Sequence, residues 1–147
     1  MSKRALAIEV AWELYGLPYK WAGDDPIEGF DCSGAIVEIL KSVGELPHDG
    51  DWAANDLWLR FRNKRVSNPA AGCIACYGTS SKITHVMLCL DDTFCIGAAG
   101  GYSVTTDIEI AADMNAYIKV RPIHYRSDLV GFFDPFLDNW SSETSLT

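Results

Sequence analysis

Between residues 19 and 34 the chain runs Tyr19-Lys20-Trp21-Ala22-Gly23, then an acidic loop, then Phe30-Asp31-Cys32-Ser33-Gly34. Asp31 is a good helix N-cap. After it Ile36, Ile39, Leu40 and Val43 fall on one stripe, and Gly44 stands where a C-cap belongs. Cys32 to Val43 is therefore predicted to be an amphipathic helix with a cysteine in its first turn. The N-terminal end of a helix carries roughly half a positive charge. That field favours thiolate over thiol and lowers the pKa of the cysteine. Gly34 leaves room for close approach by a substrate, and Asp31 and Ser33 offer polar contacts beside the sulfur. A small buried residue at a helix start would look the same, so position alone does not make Cys32 a nucleophile.

A cysteine nucleophile needs a base, and imidazole is the usual one. The stretch Ser80-Ser-Lys-Ile-Thr-His-Val-Met-Leu-Cys-Leu90 places His85 at the opening of an apolar strand, after a polar loop. His48 and His124 follow prolines in loop-like sequence and are weaker candidates.

Outward from these segments, Ala5 to Tyr15 reads as a helix with Ile8, Trp12 and Tyr15 at helical spacing and Gly16 as the stop. Trp52 to Phe61 is a third helix, capped by Asp51, and Trp12, Trp52 and Trp58 are expected in the core. After Pro69 short β-rich segments follow: 72–78, 83–90, 93–96, 102–106 and 117–121. Asp91-Asp92 is a hairpin turn, residues 98–101 a small-residue loop, and 111–116 a short helix. The stretch 121–136 is expected to be an arm packed across the sheet, and its residues carry no recognisable chemical signal. Helices first and strands later give an α+β domain with N-terminal helices on an antiparallel sheet. One domain is expected over 1–138, and 139–147 is a polar tail.

Twelve basic and twenty acidic residues leave a net charge of −8. That balance argues against a nucleic-acid backbone as partner and against an electrostatic anchor on anionic lipid. No stretch approaches the ~20 apolar residues of a membrane span. The N-terminal segment is broken by Glu9 and Glu13 and does not read as a signal peptide. The expectation is cytoplasmic synthesis, with virion association or release by lysis as the route outward. Five cysteines cannot all pair, and are read as reduced thiols. Cys73-Ile-Ala-Cys76 lacks the second close pair of a zinc ribbon and lies in strand-like sequence. Gly97-Ala-Ala-Gly-Gly101 lacks the ending of a P-loop. No metal and no cofactor is expected.

Together, Tyr19-Lys-Trp21-Ala-Gly23, Asp31-Cys32-Ser33-Gly34 and Thr84-His85-Val86 resemble the NlpC-type cell-wall cysteine peptidases of the papain-like superfamily. The resemblance runs from about Ala5 to Ala98 and suggests a phage-type member. It implies a papain-like fold, with Cys32 as nucleophile and His85 as general base. It implies that Tyr19, Asp31 and Ser33 line the subsite for the free amine of a peptidoglycan stem peptide, whose amide bond is cut. Trp21, in the loop before the nucleophile, is expected to bind substrate as a wall of the groove. The acidic setting of Asp24, Asp25, Glu28 and Asp31 suits a cationic substrate end.

In the family a third polar residue orients the imidazole from the next strand. Here Cys95-Ile96-Gly97-Ala98 puts a glycine at that step. Asp92, Ser103, Asp107 and His124 are the candidates to take its place. The alternative reading is a catalytically weak or inactive module kept for binding, or for assembly of a phage tail or lysis machinery.

Overall fold

The computed structural model describes residues 1–20, 22–25, 29–101 and 105–137, with backbone alone at 24, 25 and 29. Trp21, Glu28, Ser103 and the tail of 139–147 lie outside the described residues.

The chain opens with helix α1 (Lys3–Leu14) and a short antiparallel pair, β1 (Asp24–Asp25) and β2 (Gly29–Phe30). Helices α2 (Cys32–Ser42) and α3 (Ala54–Arg60) follow. The rest builds one sheet from β3 (Arg65–Val66), β4 (Ile74–Thr79), β5 (Lys82–Cys89), β6 (Phe94–Ala99), β7 (Tyr117–Pro122) and β8 (Leu129–Phe133). Helix α4 (Ile108–Met114) lies between β6 and β7. The six strands run in the order β3-β8-β4-β5-β6-β7, every pair antiparallel. The α+β expectation holds, and no helix among the described residues is long and apolar enough to cross a membrane.

Helix α2 is the centre of the core. Ile36, Ile39 and Leu40 are fully or almost fully buried against Ile74, Val86, Leu88 and Ile96 of the sheet. Helix α1 packs beside it through Ala7, Ala11 and Leu14. The expected inward stripe of α1 is thereby corrected: Trp12 and Tyr15 are 49% and 55% exposed and touch each other on the outside. Small side chains let two helices approach closely, and a large amphipathic ring at the same face would hold them apart. Trp52 and Trp58 are half-buried and pack against the core from its edge. The cap of α3 also differs, since the Asp56 carboxylate accepts from the Ala53 N–H, one turn further in than Asp51.

The sheet has a second apolar face. Tyr77, Met87, Cys89, Cys95 and Phe132 cluster there. It is closed by the segment that leaves β7 through a 3-10 turn, Ile123–Tyr125, and crosses to β8. The Tyr77 hydroxyl donates to the Ile123 carbonyl at 2.7 Å, the Ile123 N–H donates to Thr93 O at 2.8 Å, and the Gly78 N–H donates to Asp128 O at 2.9 Å. This is the expected arm, and it contributes the strand β8. All five cysteines are free and buried, Cys89 and Cys95 as direct cross-strand neighbours. Among the described residues no group of His, Cys, Asp and Glu is arranged to hold a metal ion.

Two smaller expectations shift. Strand β6 runs on through Ala98 and Ala99 in place of the expected loop, and α4 starts at Ile108 because Asp107 caps it through Ile110 N–H.

Candidate active site

The first turn of α2 is built by capping. Asp31 Oδ1 accepts from the Gly34 N–H at 2.6 Å and from the Ser33 hydroxyl at 3.3 Å. The Asp31 N–H in turn donates to the Gly23 carbonyl at 3.0 Å, and the Gly23 N–H donates to Lys20 O at 2.8 Å. Lys20 and Gly23 are thus tied to the helix start. The Asp31 carboxyl is pushed up by burial, a shift opposed by the hydrogen bonds from Gly34 and Ser33.

On the sheet side a β-bulge positions the histidine. Tyr77 pairs with His85 and Gly78 with Ile83, so Thr84 is the extra residue. Side chains alternate with a period of two, and the bulge breaks that period. Ile83 and Val86 therefore point into the helix-side core while His85 joins the ring of Tyr77 on the other face, centroids 5.3 Å apart. Gly78 has φ +141°, and a Cβ there would press on the backbone of residues 82–84. The glycine is what permits the bulge.

These elements meet at a cleft of about 520 Å³, into which Tyr19, Asp31, Cys32, Ser33, His85 and Arg126 face. Five of the expected site residues are therefore in one place. Tyr19 is 4% exposed, and Gly101 lies so close to its ring that a Cβ would overlap it. Burial raises the Tyr19 phenol far above its ordinary range, with Cys32 and Asp31 adding to the shift.

The electrostatics of the pair differ from the expectation. Cys32 Sγ lies 3.9 Å from the Thr84 carbonyl oxygen, its hydrogen-bond acceptor. Burial pushes the Cys32 thiol up to about 11, and the neighbouring Asp31 adds to the rise. Desolvation outweighs the helix-terminal field. Burial likewise pulls His85 down to about 3, aided by the Arg126 guanidinium and opposed by Asp128. At rest both groups are neutral, and no hydrogen bond joins them among the described residues.

Among the described residues His85 has one side-chain hydrogen bond, Nε2 to the Tyr125 hydroxyl at 2.7 Å. Tyr125 belongs to the 3-10 turn of the crossing arm, a stretch with no chemical signal in its sequence. Of the four residues expected to contact the imidazole, three are placed elsewhere, and Ser103 lies outside the described residues. Asp92 bonds Thr93 in the hairpin turn, Asp107 caps α4, and His124 is exposed. Position 97 has ordinary extended backbone, and a Cβ there would meet Met87 Sδ at 2.7 Å. The side chain of the strand opposite occupies that space.

The NlpC/P60 family model matches residues 16–125, well over half of the chain. Solved structures share the fold. The NlpC/p60 domain of the peptidoglycan hydrolase SagA superposes with a TM-score of 0.68 at 22% identity, over 89% of this chain and 97% of that one. The peptidoglycan hydrolase RipB from Mycobacterium tuberculosis gives 0.66 at 19% identity, over 92% and 65%. A lipoprotein-like NLP/P60 protein of Staphylococcus aureus gives 0.69 at 19% identity, over 92% of this chain but only 42% of that one. The capped cysteine of α2, the histidine of β5 and the cleft between them lie inside the matched span, and the chain belongs to the NlpC/P60 family.

Proposed function

We propose that the protein is a cysteine peptidase or amidase that cuts an amide bond in peptidoglycan stem peptides. The observation that carries this reading is the convergence of Cys32, from the start of α2, and His85, from β5, on one cleft walled by Tyr19, Asp31 and Ser33. His85 is neutral over the working pH range, so its free ring nitrogen is able to take a proton. As the Cys32 sulfur attacks the carbonyl carbon, the thiol proton passes to His85 and the new C–S bond forms. A backbone N–H at the start of α2 stabilises the oxyanion. Collapse breaks the C–N bond, and the imidazolium returns its proton to the leaving amine. Water, deprotonated by His85, then cleaves the thioester and restores the thiol.

Because both groups start neutral, proton transfer accompanies attack, and no thiolate precedes it. Asp31 offers negative charge at the cleft wall for the free amine of the stem peptide. Tyr19 and Trp21 complete that subsite in this reading.

The competing reading is a module kept for binding or particle assembly, and the glycine at position 97 favours it. A digest of purified peptidoglycan, read by mass spectrometry, separates the two. Stem-peptide fragments that vanish with Cys32→Ala support the hydrolase. Intact peptidoglycan with folded wild-type protein overturns it.

A further inference from the structure

We propose that Tyr125 is the positioning residue of this site, fixing the ring and the tautomer of His85 from the crossing arm in place of a side chain at position 97. The inference rests on the reading of His85 as the base. Its geometry is independent of the substrate.

The Tyr125 hydroxyl is 2.7 Å from His85 Nε2. A neutral imidazole carries one proton, and the base must keep the other nitrogen, Nδ1, open to the thiol. That requires Nε2–H donating to the phenol oxygen. A tyrosine hydroxyl accepts such a bond while its own proton turns elsewhere. The contact is the same before and after the imidazole is protonated, because Nε2 bears hydrogen in both states.

The phenol is held from several sides. Its ring stands edge-on to Tyr77, at 5.8 Å and 71°, and to His85, at 6.2 Å and 68°. Tyr77 lies directly across the strand pair from His85, and its own hydroxyl grips the carbonyl of Ile123 at the head of the same turn. One tyrosine therefore packs against the imidazole, tilted at 47°, and anchors the turn that delivers the other. Arg126, next in sequence, lies over the Tyr77 ring at 5.5 Å and forks onto Asp128 with bonds of 2.8 and 2.7 Å. Burial raises the Tyr125 phenol to about 12, so it stays protonated wherever the enzyme works.

The arrangement also accounts for the glycine. Position 97 is filled by Met87 Sδ, and a polar side chain there would have to displace it. The orienting group comes instead from an element later in the chain, over the second face of the sheet. A phenol is neutral, so it fixes geometry without the charge by which a carboxylate would favour the imidazolium.

The test is Tyr125→Phe, which keeps the ring and removes the hydroxyl. Long-range nitrogen–proton NMR on the histidine ring reads the tautomer, with His48 and His124 as exposed references. Wild type is expected to show His85 as the Nε2–H tautomer, and Tyr125→Phe as a mixture of both. With stem peptide, kcat should fall roughly 10- to 100-fold while KM stays within about twofold. An Nδ1–H tautomer in wild type overturns the proposal. So does a variant whose tautomer and kcat match wild type. If wild type cuts no peptidoglycan, the hydrolase reading fails, and the tautomer measurement still decides the role of Tyr125.

Discussion

The carbonyl oxygen of Gly23 occupies the space that a Cβ on residue 34 would need. That contact ties the loop carrying Tyr19 to the first turn of the nucleophile helix. It explains why the residue two beyond Cys32 carries no side chain. The Asp31 carboxylate, 2.6 Å from the Gly34 N–H, closes the same corner.

Gly34→Ala should therefore lift Gly23 off α2. Overpacking against backbone costs roughly 1–3 kcal/mol, which lowers Tm by about 3–10 °C in a domain of this size. Turnover should fall more than stability, since Tyr19 moves with the loop. Thermal melts beside peptide hydrolysis check both, and a variant with unchanged Tm would contradict the contact.

Cys32 should label slowly at neutral pH. Its thiol sits near 11, so the thiolate fraction rises about tenfold per pH unit up to that value. Iodoacetamide modification, located by mass spectrometry, should climb steeply between pH 7 and pH 10. The other four cysteines are also buried and raised by desolvation, and will not mask it. Fast labelling at pH 6 would mean that a thiolate–imidazolium pair is already formed in the free protein.

Acid stability should depend on His85. Its folded pKa, about 3, lies below the ordinary 6.5, so the folded state favours the neutral ring. The associated stability is complete above pH 6.5 and is lost as pH falls from there towards 3. The slope is about 1.4 kcal/mol per pH unit, or on the order of 3 kcal/mol between pH 7 and pH 4. His85→Gln keeps a hydrogen-bonding side chain and removes the titration. Its stability should fall less over that range than that of wild type, by denaturant titration at each pH.

What was legible in the sequence was local. The stripe of Ile36, Ile39, Leu40 and Val43 and the cap at Asp31 gave α2 and its cysteine, because both signals lie within a few residues of the chain. The strand beginning near His85 was legible for the same reason. The face of α1 was not: Trp12 and Tyr15 are as apolar as core residues, and only packing against α2 reveals that Ala7 and Ala11 are the inner side. Strand β8 was hidden in the arm because its partners, β3 and β4, are remote in sequence. Tyr125 was out of reach on the same ground. It meets His85 from 40 positions away, through a turn whose placement depends on Tyr77, and no spacing rule links the three.

Asp31 should act on the substrate by charge and on the fold by its cap, and the two separate. Asn caps helices about as well as Asp, so Asp31→Asn should keep the melting temperature. With a substrate bearing a free amine, kcat/KM should fall roughly tenfold, the scale of one partly exposed charge contact. Acetylating that amine should remove the difference between the two proteins. An equal loss on both substrates would assign Asp31 to the helix start alone.

Position 97 gives the sharpest comparison. The backbone there is extended, so a side chain is not barred by a left-handed conformation, and the obstacle is Met87 Sδ. Thioethers are flexible, and Met87 has room to yield only at some cost in packing. Gly97→Asn alone should lower stability by about 1–3 kcal/mol and leave turnover no higher than wild type, because His85 Nε2 is already engaged by Tyr125. In the Tyr125→Phe background the same substitution meets an imidazole with a vacant nitrogen, and its amide oxygen can accept the Nε2 proton. Part of the lost kcat should then return. Measured as a double-mutant cycle, the two positions should couple in kcat, with Gly97→Asn neutral or harmful beside tyrosine and helpful beside phenylalanine. Additive effects would mean that the two side chains do not serve the same nitrogen, and that the glycine was never replaced from the arm.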